Sequence, residues 1–280
     1  MASESLKPLI KWAGGKRQLL SELEVLMPDK FNMYFEPFIG GGALFLHVAP
    51  EDAVINDFNP LLTKMYQVVK KNKEELIRQL AIYQEKNSKD YYLDVRLMDR
   101  DGRTDLMSDV ELVARFMYLN KTGFNGLWRV NKKGQNNVPF ANYKNPKILN
   151  SEIIDKVSMY LNNTNIKILN GDYKKAIETA KMGDFVYFDP PYAPINMTSS
   201  FTSYTESDFG LIEQTQLRDT FKELTKKNVK VMLSNSDVPL IHDLYDDLEY
   251  ARIHVVKASR FINSKSSGRG KINELVITNY

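Results

Sequence analysis

The chain alternates between short apolar runs and longer segments in which apolar residues recur with the period of a helix. Short runs bounded by polar or turn residues predict buried strands. They occupy residues 34–37, 53–56, 166–169, 185–188, 229–233 and 275–278. Strands that alternate with helices are typical of an α/β fold with a mostly parallel sheet. The pattern therefore predicts that fold class.

The longest helical pattern begins at Pro60 and continues to about Lys86. Its apolar face carries Leu62, Met65, Tyr66 and Val69, followed by Leu76 and Leu80. Proline suits the first turn of a helix, and Asn59 or Asp57 is placed to cap it. A further helix is predicted over residues 105–119.

Residues 59–165 differ in character from the sequence on either side. They are helical at first, and between Asn120 and Asn145 they are rich in Asn, Gly, Lys and aromatic residues. Because the strands before and after continue one α/β pattern, we expect residues 1–58 and 166–280 to form one domain with a nucleotide-binding type of sheet. Residues 59–165 would then form a second domain inserted into it. A chain of 280 residues is long enough for both.

Composition removes several classes of function. The chain contains no cysteine, which excludes disulfides, thiolate metal sites and a cysteine nucleophile. Its three histidines are too dispersed along the sequence for a histidine metal cluster, so we expect no metal. No apolar run is long enough to span a bilayer, and the first residues do not have the pattern of a secretory signal. The expected context is a reducing cytoplasm without membrane association.

Positive charge is segregated along the chain, although the net charge is only +3. Between Glu111 and Glu152 there is no acidic residue, and this tract contains Arg115, Lys121, Arg129, Lys132, Lys133, Lys144 and Lys147. A second tract without acidic residues contains Arg252, Lys257, Arg260, Lys265, Arg269 and Lys271. Segregated positive charge favours a polyanion as partner, with two solvated basic faces as the alternative.

The sequence Asp189-Pro190-Pro191-Tyr192 follows directly on the apolar run 185–188. A strand that ends in a carboxylate, two prolines and an aromatic ring forms a rigid slot suited to a planar group with an amino nitrogen. The amine can donate one hydrogen to Asp189 and one to the Pro190 carbonyl, while the Tyr192 ring lies against the planar face. Alternatively, Asp189 caps a helix at the strand end and Tyr192 is a core residue.

Three consecutive glycines, from Gly40 to Gly42, follow the first predicted strand and precede an apolar helix. In a doubly wound sheet this first turn is where a nucleotide-like cofactor binds, because glycine permits close approach to the backbone. The spacing is neither a dinucleotide fingerprint nor a P-loop, and a plain tight turn is the alternative. Asp57, at the end of the next strand, can accept hydrogen bonds from a ribose diol. Asp172, after the strand 166–169, can accept from an adenine edge, and a plain turn aspartate is the alternative.

These features occur together with further motifs that characterise a known family. The motifs are Lys11-Trp12-Ala13-Gly14-Gly15-Lys16, Phe38-Ile39-Gly40-Gly41-Gly42, Asn56-Asp57, Asn125-Gly126-Leu127-Trp128-Arg129, Asn137-Val138-Pro139-Phe140, Asp172, Asp189-Pro190-Pro191-Tyr192 and Leu233-Ser234-Asn235-Ser236. In this order they cover nearly the whole chain. It resembles the Dam-type DNA adenine-N6 methyltransferases (class D12, alpha group), and among them the Dam/DpnM members that act on GATC.

The resemblance implies a fold, a cofactor and a set of site residues. The fold is a Rossmann-like S-adenosylmethionine-dependent methyltransferase sheet, 1–58 and 166–280, with an inserted, mostly helical target-recognition domain, 59–165, that carries a β-hairpin. The cofactor is S-adenosyl-L-methionine, with S-adenosyl-L-homocysteine as product. Its implied contacts are Trp12, Ala13, Lys16, Phe38, Gly40, Asp57, Asp172 and Asp189. The implied catalytic residues are Asp189, Pro190 and Tyr192.

The reaction can also be argued from chemistry. The lone pair of an adenine amine is delocalised into the ring, and hydrogen bonds from the amine to Asp189 and the Pro190 carbonyl would localise it on nitrogen. A sulfonium methyl is already activated, so the protein supplies alignment and electrostatics, and neither a metal nor a covalent intermediate is required. Because a base inside a duplex is inaccessible, the target adenine is expected to flip out and to stack on Tyr192.

The inserted domain is expected to read double-stranded DNA, while single-stranded DNA stays open as a substrate. Residues 124–139 have the pattern of a hairpin with a turn near Lys132 to Gly134, and a two-stranded ribbon can enter the major groove. Arg129 suits the O6 and N7 atoms of guanine. The resemblance assigns DNA contacts to Lys11, Phe124, Asn125, Leu127, Arg129 and Pro139, although core packing is the alternative for Phe124. Phosphate contacts are expected from Arg260, Lys265, Arg269 and Lys271.

Two rival interpretations stay open on the sequence. The first is an amino methyltransferase that acts on RNA adenine, cytosine N4 or protein glutamine. Asp189 favours adenine, since the cytosine and glutamine enzymes usually begin the motif with Ser or Asn. The second is a DNA-binding regulator built on a decayed methyltransferase, against which the intact Asp189, Tyr192, Phe38 and glycines argue. No obligate protein partner is indicated, and restriction–modification, repair, regulation and viral protection are all compatible roles.

Overall fold

The computed structural model of the protein describes residues 6–194, 209–259 and 271–280. Its strands are β1 (Tyr34–Glu36), β2 (Asp52–Asp57), β3 (Asn165–Asn170), β4 (Phe185–Phe188), β5 (Lys230–Ser236), β6 (Arg252–Ser259) and β7 (Lys271–Thr278). Within the described residues these seven strands form one sheet in the order β3-β2-β1-β4-β5-β7-β6.

Parallel pairing dominates this sheet. β1 pairs in parallel with β2 and β4, and β4 pairs in parallel with β5, so that Phe188 lies opposite Leu233. β7 is antiparallel to both β5 and β6. Because parallel strands end at the same edge, the carboxyl ends of β1, β2, β4 and β5 share one edge of the sheet. The predicted α/β fold with a mostly parallel sheet is confirmed.

The α-helices of the described chain are α1 (Leu20–Leu26), α2 (Ala43–Val48), α3 (Pro60–Lys71), α4 (Lys73–Lys86), α5 (Lys89–Leu97), α6 (Asp109–Thr122), α7 (Ser151–Asn163), α8 (Tyr173–Ala176), α9 (Leu211–Lys226) and α10 (Pro239–Tyr245). Short 3-10 turns occupy Lys16–Gln18, Arg103–Leu106 and Phe124–Gly126.

The continuous helix predicted from Pro60 to Lys86 is wrong, because Asn72 divides it into α3 and α4. Asn72 has φ −134° and ψ 34°, outside the helical region. Its N–H donates to the Val68 carbonyl at 2.7 Å and its carbonyl accepts from the Leu76 N–H at 3.1 Å. Lysines precede this residue and glutamates follow it, which is the charge order that favours one helix ending and another beginning. Of the two predicted caps, Asn59 caps α3 by accepting from the Leu61 N–H at 3.0 Å.

The helix predicted over residues 105–119 begins and ends later than expected. Ser108 caps α6 in a reciprocal capping box with Glu111, and the helix continues to Thr122. Asp105 belongs to the preceding 3-10 turn. The sequence Ser108-Asp109-Val110-Glu111 has the spacing of a capping box, so this start was visible in the sequence.

Contacts divide the chain into two compact units. The first unit comprises Met1–Lys16, Gly40–Glu51 and Asn59–Asn170, and the second comprises Arg17–Ile39, Asp52–Phe58 and Gly171–Tyr280. The domain boundaries inferred from the sequence stay a prediction.

The first unit has a helical core. Helix α6 packs against α3 and α4, and α7 packs against α3. Its fully or almost fully buried side chains include Leu62, Met65, Tyr66, Leu76, Leu80, Val113, Phe116, Met117, Ile154, Val157 and Leu161. The rings of Tyr83 and Tyr118 stack with centroids 4.8 Å apart. Burial of these apolar faces supplies the main stabilisation of the unit.

The second unit is built on the central strands of the sheet. Every residue of β4 is buried, as are Val231, Met232 and Leu233 of β5. Helix α9 packs against β5 and buries Leu217, Phe221 and Leu224. A strand buried on both faces reads as a continuous apolar run, which explains why the sequence pattern identified β4 and β5.

β6 escaped prediction because it lies at the edge of the sheet. Its apolar residues alternate with Arg252, His254 and Lys257, and Val255 is exposed.

No helix among the described residues combines the length and hydrophobicity needed to cross a membrane. Within the same residues, no group of three or more His, Asp or Glu is arranged to hold a metal ion.

Candidate functional site

Asp189 stands at the carboxyl end of the central strand β4. The strand is buried over its whole length, whereas Asp189 is half-buried and Pro190 is buried. Ligands of open α/β sheets bind at this edge, outside the carboxyl ends of the parallel strands. Proline fixes its own φ angle, so Pro190 and Pro191 restrict the loop that carries Tyr192. The predicted slot residues therefore lie at the edge of the sheet where ligands bind in this class of fold.

Two tyrosine hydroxyls lie close to the Asp189 charge. The Tyr192 hydroxyl donates to Glu274 at 2.9 Å, and the hydroxyls of Tyr187 and Ser234 are hydrogen-bonded at 2.8 Å. Burial raises the pKa of both tyrosines well above the usual value, and the negative charge of Asp189 raises it further. Both phenols therefore stay protonated, and Tyr192 is a neutral donor with its hydroxyl held by Glu274.

Two buried amides, which the sequence did not single out as site residues, hold the loop around Tyr192. Gln214 Nε2 donates to the Pro191 carbonyl at 3.0 Å. Asn235 Oδ1 accepts from the Ala193 N–H at 3.0 Å, and Asn235 Nδ2 donates to Gln214 Oε1 at 3.0 Å. Asn235 belongs to the Leu233-Ser234-Asn235-Ser236 motif, but nothing in the local pattern signals Gln214.

Phe38 belongs to an aromatic cluster at the end of β1. Its ring stacks on Tyr173 with centroids 5.3 Å apart, and it meets Phe188 edge to face at 6.3 Å. The buried Asn56 amide donates to the Pro37 carbonyl at 3.0 Å and to the Gly171 carbonyl at 2.9 Å. These contacts place Phe38 beside the turn that carries Asp172.

Asp57 and Asp172 follow neighbouring strand ends. The Gly171 N–H donates to the Asp57 carbonyl at 3.1 Å, which joins the two turns. Asp57 is half-buried, and the exposed Asp172 caps α8 by accepting from the Lys174 N–H at 2.8 Å. Phe58, which follows Asp57, is 79% exposed. An exposed aromatic ring next to Asp57 in the sequence suits contact with a planar ligand, and the sequence analysis did not identify Phe58.

The remaining predicted cofactor residues lie in the first unit. Gly40 has φ +49°, and a Cβ built on it would stand 2.9 Å from Trp12 Cδ1. The close approach of Trp12 therefore requires glycine here. Lys16 is 5% exposed and its Nζ donates to the Gly14 carbonyl at 2.7 Å. Ala13 is exposed within the same loop.

One buried amide joins Lys11 to the turn at Gly126. Asn120 Nδ2 donates to the Lys11 carbonyl at 2.9 Å and to the Gly126 carbonyl at 2.8 Å, while its Oδ1 accepts from the Lys11 N–H at 3.2 Å. Gly126 has φ +67°, and a Cβ there would lie 2.7 Å from Lys11 Cδ. The structure thus brings Lys11 to the segment with which the resemblance grouped it, through an amide that the sequence analysis did not identify.

The predicted hairpin is present as a tight turn with isolated antiparallel bridges. The Gly134 N–H donates to the Asn131 carbonyl at 2.9 Å, and the Asn131 N–H donates to the Gln135 carbonyl at 2.9 Å. Bridges join Val130 to Asn136 and Gly123 to Phe140. The predicted turn near Lys132 to Gly134 is confirmed, although the limbs are not continuous strands.

The predicted DNA-contacting side chains of this hairpin differ in exposure. Arg129, Asn125 and Pro139 are exposed, Phe124 is 50% exposed, and Leu127 is half-buried. Asn125 has φ +57°, a left-handed conformation that Asn tolerates better than most residues. Arg129 Nε donates to Asn137 Oδ1 at 2.6 Å. The exposure of Phe124 contradicts the core alternative and leaves its ring available for contact.

Side chains of α5 and α6 and of the segment between them anchor the far limb of the hairpin. The Asp99 carboxylate accepts from the Asn136 N–H at 2.8 Å and pairs with the buried Arg115 at 3.0 Å. The Tyr92 hydroxyl and Arg96 each donate to the Val138 carbonyl at 2.9 Å. The sequence analysis counted Arg115 in the first basic tract, but its burial and its pairing with Asp99 remove it from an exposed basic face. The other residues were not predicted to serve the site, because their partners are distant in the sequence.

Most of the predicted phosphate contacts in the second basic tract fall outside the residues that the structure describes. Arg260, Lys265 and Arg269 lie outside the described residues, and Lys271 is the first residue of β7. Their roles stay predictions.

Comparison with known proteins points to one family. The family model for D12 class N6 adenine-specific DNA methyltransferases matches residues 12–262. The type II methyltransferase M1.LlaDCHI of Lactococcus lactis subsp. cremoris is 56% identical over 99% of this chain and 96% of its own length. The type II methyltransferase M.MjaIII of Methanocaldococcus jannaschii is 41% identical over 98% of this chain and 99% of its own length. The DNA adenine methylase of Haemophilus influenzae is 33% identical over 96% of this chain and 92% of its own length.

Proposed function

Since the chain belongs to the D12 class of N6 adenine-specific DNA methyltransferases, we propose that it takes methyl from S-adenosylmethionine and delivers it to an extruded adenine in duplex GATC. The observation that carries this proposal is Asp189, a carboxylate at the end of the buried strand β4, followed by a proline-restricted loop with Tyr192. The family methylates adenine N6 in DNA. RNA adenine, cytosine N4 and protein glutamine are different substrates, and a decayed regulator would have no such activity.

Asp189 and the Pro190 carbonyl would act on the amine of the target base. Each accepts one N–H hydrogen, which draws the nitrogen toward tetrahedral geometry and localises its lone pair for attack in line with the methyl carbon. After transfer the nitrogen releases one proton, for which Asp189 is the nearest acceptor in this arrangement. Tyr192, held at its hydroxyl by Glu274, offers its ring to the extruded base, which offsets part of the unstacking cost of a few kcal/mol.

The donor set at the strand ends fits S-adenosylmethionine. When bound, this cofactor supplies a methyl group activated on a sulfonium sulfur. The Asp57 carboxylate would accept from the ribose hydroxyls, and Asp172 would accept from the amine of the cofactor's adenine. The rings of Phe38 and Phe58 supply apolar contact for its planar and aliphatic parts. For Trp12, Ala13, Lys16 and Gly40, cofactor contacts are proposed from the family resemblance alone.

Replacement of Gly40 by alanine is expected to weaken cofactor binding about tenfold or more. A side chain at φ +49°, with its Cβ 2.9 Å from Trp12, must strain the backbone and displace that ring. Titration calorimetry with S-adenosylmethionine measures the loss. The matched control is Gly102→Ala, since Gly102 also has positive φ but has only Asp105 Oδ2 nearby, at 3.8 Å. Equal cofactor affinity in the two variants would show that the Trp12 contact is irrelevant.

Recognition of DNA is proposed for the hairpin and for the exposed residues of the first basic tract. The exposed Arg129 is suited to guanine, and the exposed Phe124 and Asn125 stand at the turn that Asn120 joins to Lys11. GATC is inferred from the likeness of the recognition motif to that of the Dam/DpnM members. Because two similar proteins are type II methyltransferases, we also propose that the chain serves a type II restriction–modification system.

The function is tested by transfer of labelled methyl from S-adenosylmethionine to defined nucleic acids. Matched duplexes containing GATC or the permuted sequence GTAC, the single strand of the first, and its RNA equivalent separate sequence, strandedness and sugar. We expect label at the adenine N6 of the GATC duplex. Equal labelling of both duplexes contradicts GATC specificity. A 2-aminopurine at the target position should gain fluorescence on binding, and no gain would contradict extrusion of the base.

A further inference from the structure

We propose that Gln214 and Asn235 are positioning residues for methyl transfer, which act by fixing the backbone on both sides of Tyr192. The inference rests on the proposed stacking of the target base on that ring. Both residues lie in the second unit, Gln214 on α9 and Asn235 on β5.

The two side-chain amides form a chain of hydrogen bonds that brackets Tyr192. The Pro191 carbonyl before it accepts from Gln214 Nε2, and the Ala193 N–H after it donates to Asn235 Oδ1, each at 3.0 Å. The bond from Asn235 Nδ2 to Gln214 Oε1, also 3.0 Å, joins the two contacts. The peptide groups on either side of Tyr192 are therefore held by one connected pair.

The backbone sets the direction of this chain of bonds. Asn235 Oδ1 also accepts from the Ser236 N–H at 2.9 Å, and a backbone N–H can only donate. Asn235 must therefore turn its oxygen toward the loop and its NH2 toward Gln214. Gln214 must in turn present its own NH2 to Pro191. Reversal of either amide would leave two acceptors or two donors facing each other.

Burial makes the arrangement sensitive to any change of partner. Gln214 is 1% exposed and Asn235 is 0% exposed, so water cannot replace a lost bond and the unsatisfied group is costly. A fully satisfied polar network in a core selects one conformation. The conformation selected here is that of residues 191–193, which carry Tyr192.

A third contact completes the restraint on Tyr192. Glu274 accepts from its hydroxyl at 2.9 Å and lies on β7 opposite Ser236, the neighbour of Asn235. The residue is thus held at its backbone by the amide pair and at the far end of its ring by a carboxylate. A ring fixed before the base arrives should affect the rate of transfer more than the affinity for substrate, since orientation is what it supplies.

The test compares Gln214→Glu with Gln216→Glu in the complete enzyme. Glutamate at 214 keeps an acceptor for Asn235 but turns its second oxygen toward the Pro191 carbonyl, so that bond is lost. Gln216 is on the same helix and exposed, so the matched change there controls for the added charge. Single-turnover rate constants and the KM values for S-adenosylmethionine and DNA are measured on a duplex that the wild-type enzyme methylates.

Gln214→Glu is expected to lower the rate constant about 10- to 100-fold at unchanged KM values, because a displacement near 1 Å is enough for such a loss. Gln216→Glu is expected to match the wild type. In a Tyr192→Ala background, Gln214→Glu should change the rate less than about twofold, since both changes act through the same ring.

A wild-type rate constant in Gln214→Glu, or a loss that persists undiminished in the Tyr192→Ala background, overturns the inference. If thermal unfolding shows that Gln214→Glu does not fold, Gln214→Met removes the same bonds without burying a charge and is judged by the same criteria. If the wild-type enzyme methylates other duplexes but not the GATC duplex, only the proposed recognition sequence is contradicted. A wild-type rate in Tyr192→Ala alone contradicts the stacking, and with it the inference.

Discussion

Replacement of Asp189 by alanine is expected to abolish methyl transfer while the protein still binds duplex DNA and S-adenosylmethionine. Asp189 stands half-buried at the end of β4. Burial raises the pKa of both Tyr187 and Tyr192, and the charge of Asp189 raises it further. Loss of the carboxylate removes the acceptor that localises the lone pair on the amine. An interaction made to the reacting group in a preorganised site contributes about 10²- to 10³-fold to the rate, so the loss should be at least of that order.

The measurement is single-turnover transfer of labelled methyl, with duplex and cofactor affinities measured separately by calorimetry. Asp172→Asn is the matched control, because it also removes a carboxylate from a strand end. Asparagine is itself a favoured N-cap, so it should keep the cap that Asp172 makes to the Lys174 N–H. We expect this control to raise the KM for S-adenosylmethionine with little loss of rate at saturation. Turnover in Asp189→Ala within about tenfold of wild type, a difference near 1.4 kcal/mol, would refute the lone-pair argument.

Replacement of Arg129 by alanine is expected to relax discrimination at one guanine of the recognition site by about 1–3 kcal/mol. The guanidinium is exposed on the hairpin, and Asn137 orients it by accepting from Nε at 2.6 Å. A guanidinium presented in this way can form two parallel bonds to O6 and N7 of guanine. The measurement is the rate of methylation of duplexes in which each base pair other than the target is changed in turn.

Lys132→Ala serves as the control for Arg129→Ala, since Lys132 is exposed at the tip of the same turn. Loss of a phosphate contact weakens binding to all sequences alike and lowers its salt dependence. We expect that uniform behaviour for Lys132→Ala and a base-specific change for Arg129→Ala. If every duplex loses the same factor in Arg129→Ala, the arginine contacts phosphate rather than a base.

Local patterns of the sequence were sufficient for the architecture and for one edge of the site. Strands that are buried on both faces read as apolar runs, so β4 and β5 were predicted, and with them the position of Asp189. Asp57 and Asp172 were located by the same reasoning, because each follows a predicted strand. The errors were also local. A continuous helix was expected where the polar Asn72 breaks it. The edge strand β6 was missed because its polar residues do not match the continuous apolar run of a buried strand.

The residues that hold the site in place could not be found in this way. Gln214 and Asn235 are 21 positions apart, and Asn235 is 42 positions from Ala193, yet they meet around Tyr192. Asn120 joins Lys11, 109 positions away, to Gly126. In isolation Gln214 and Asn120 are ordinary amides on helices. Asn235 belongs to a motif that carries the family resemblance, but nothing in that motif indicates its partners.

The amino-acid sequence was thus enough to locate the buried strands, the reactive groups that follow them and the family that the motifs resemble, but not the break at Asn72 or the edge strand β6. The folded structure was needed to show which polar side chains meet in the interior, which rings stay exposed, and which glycines leave room for a neighbour, as Gly40 does for Trp12. The difference arises from the distance along the chain over which each interaction acts. Periodic burial and capping act between residues a few positions apart, whereas a hydrogen bond between distant residues exists only after the chain has folded and excluded water from both partners.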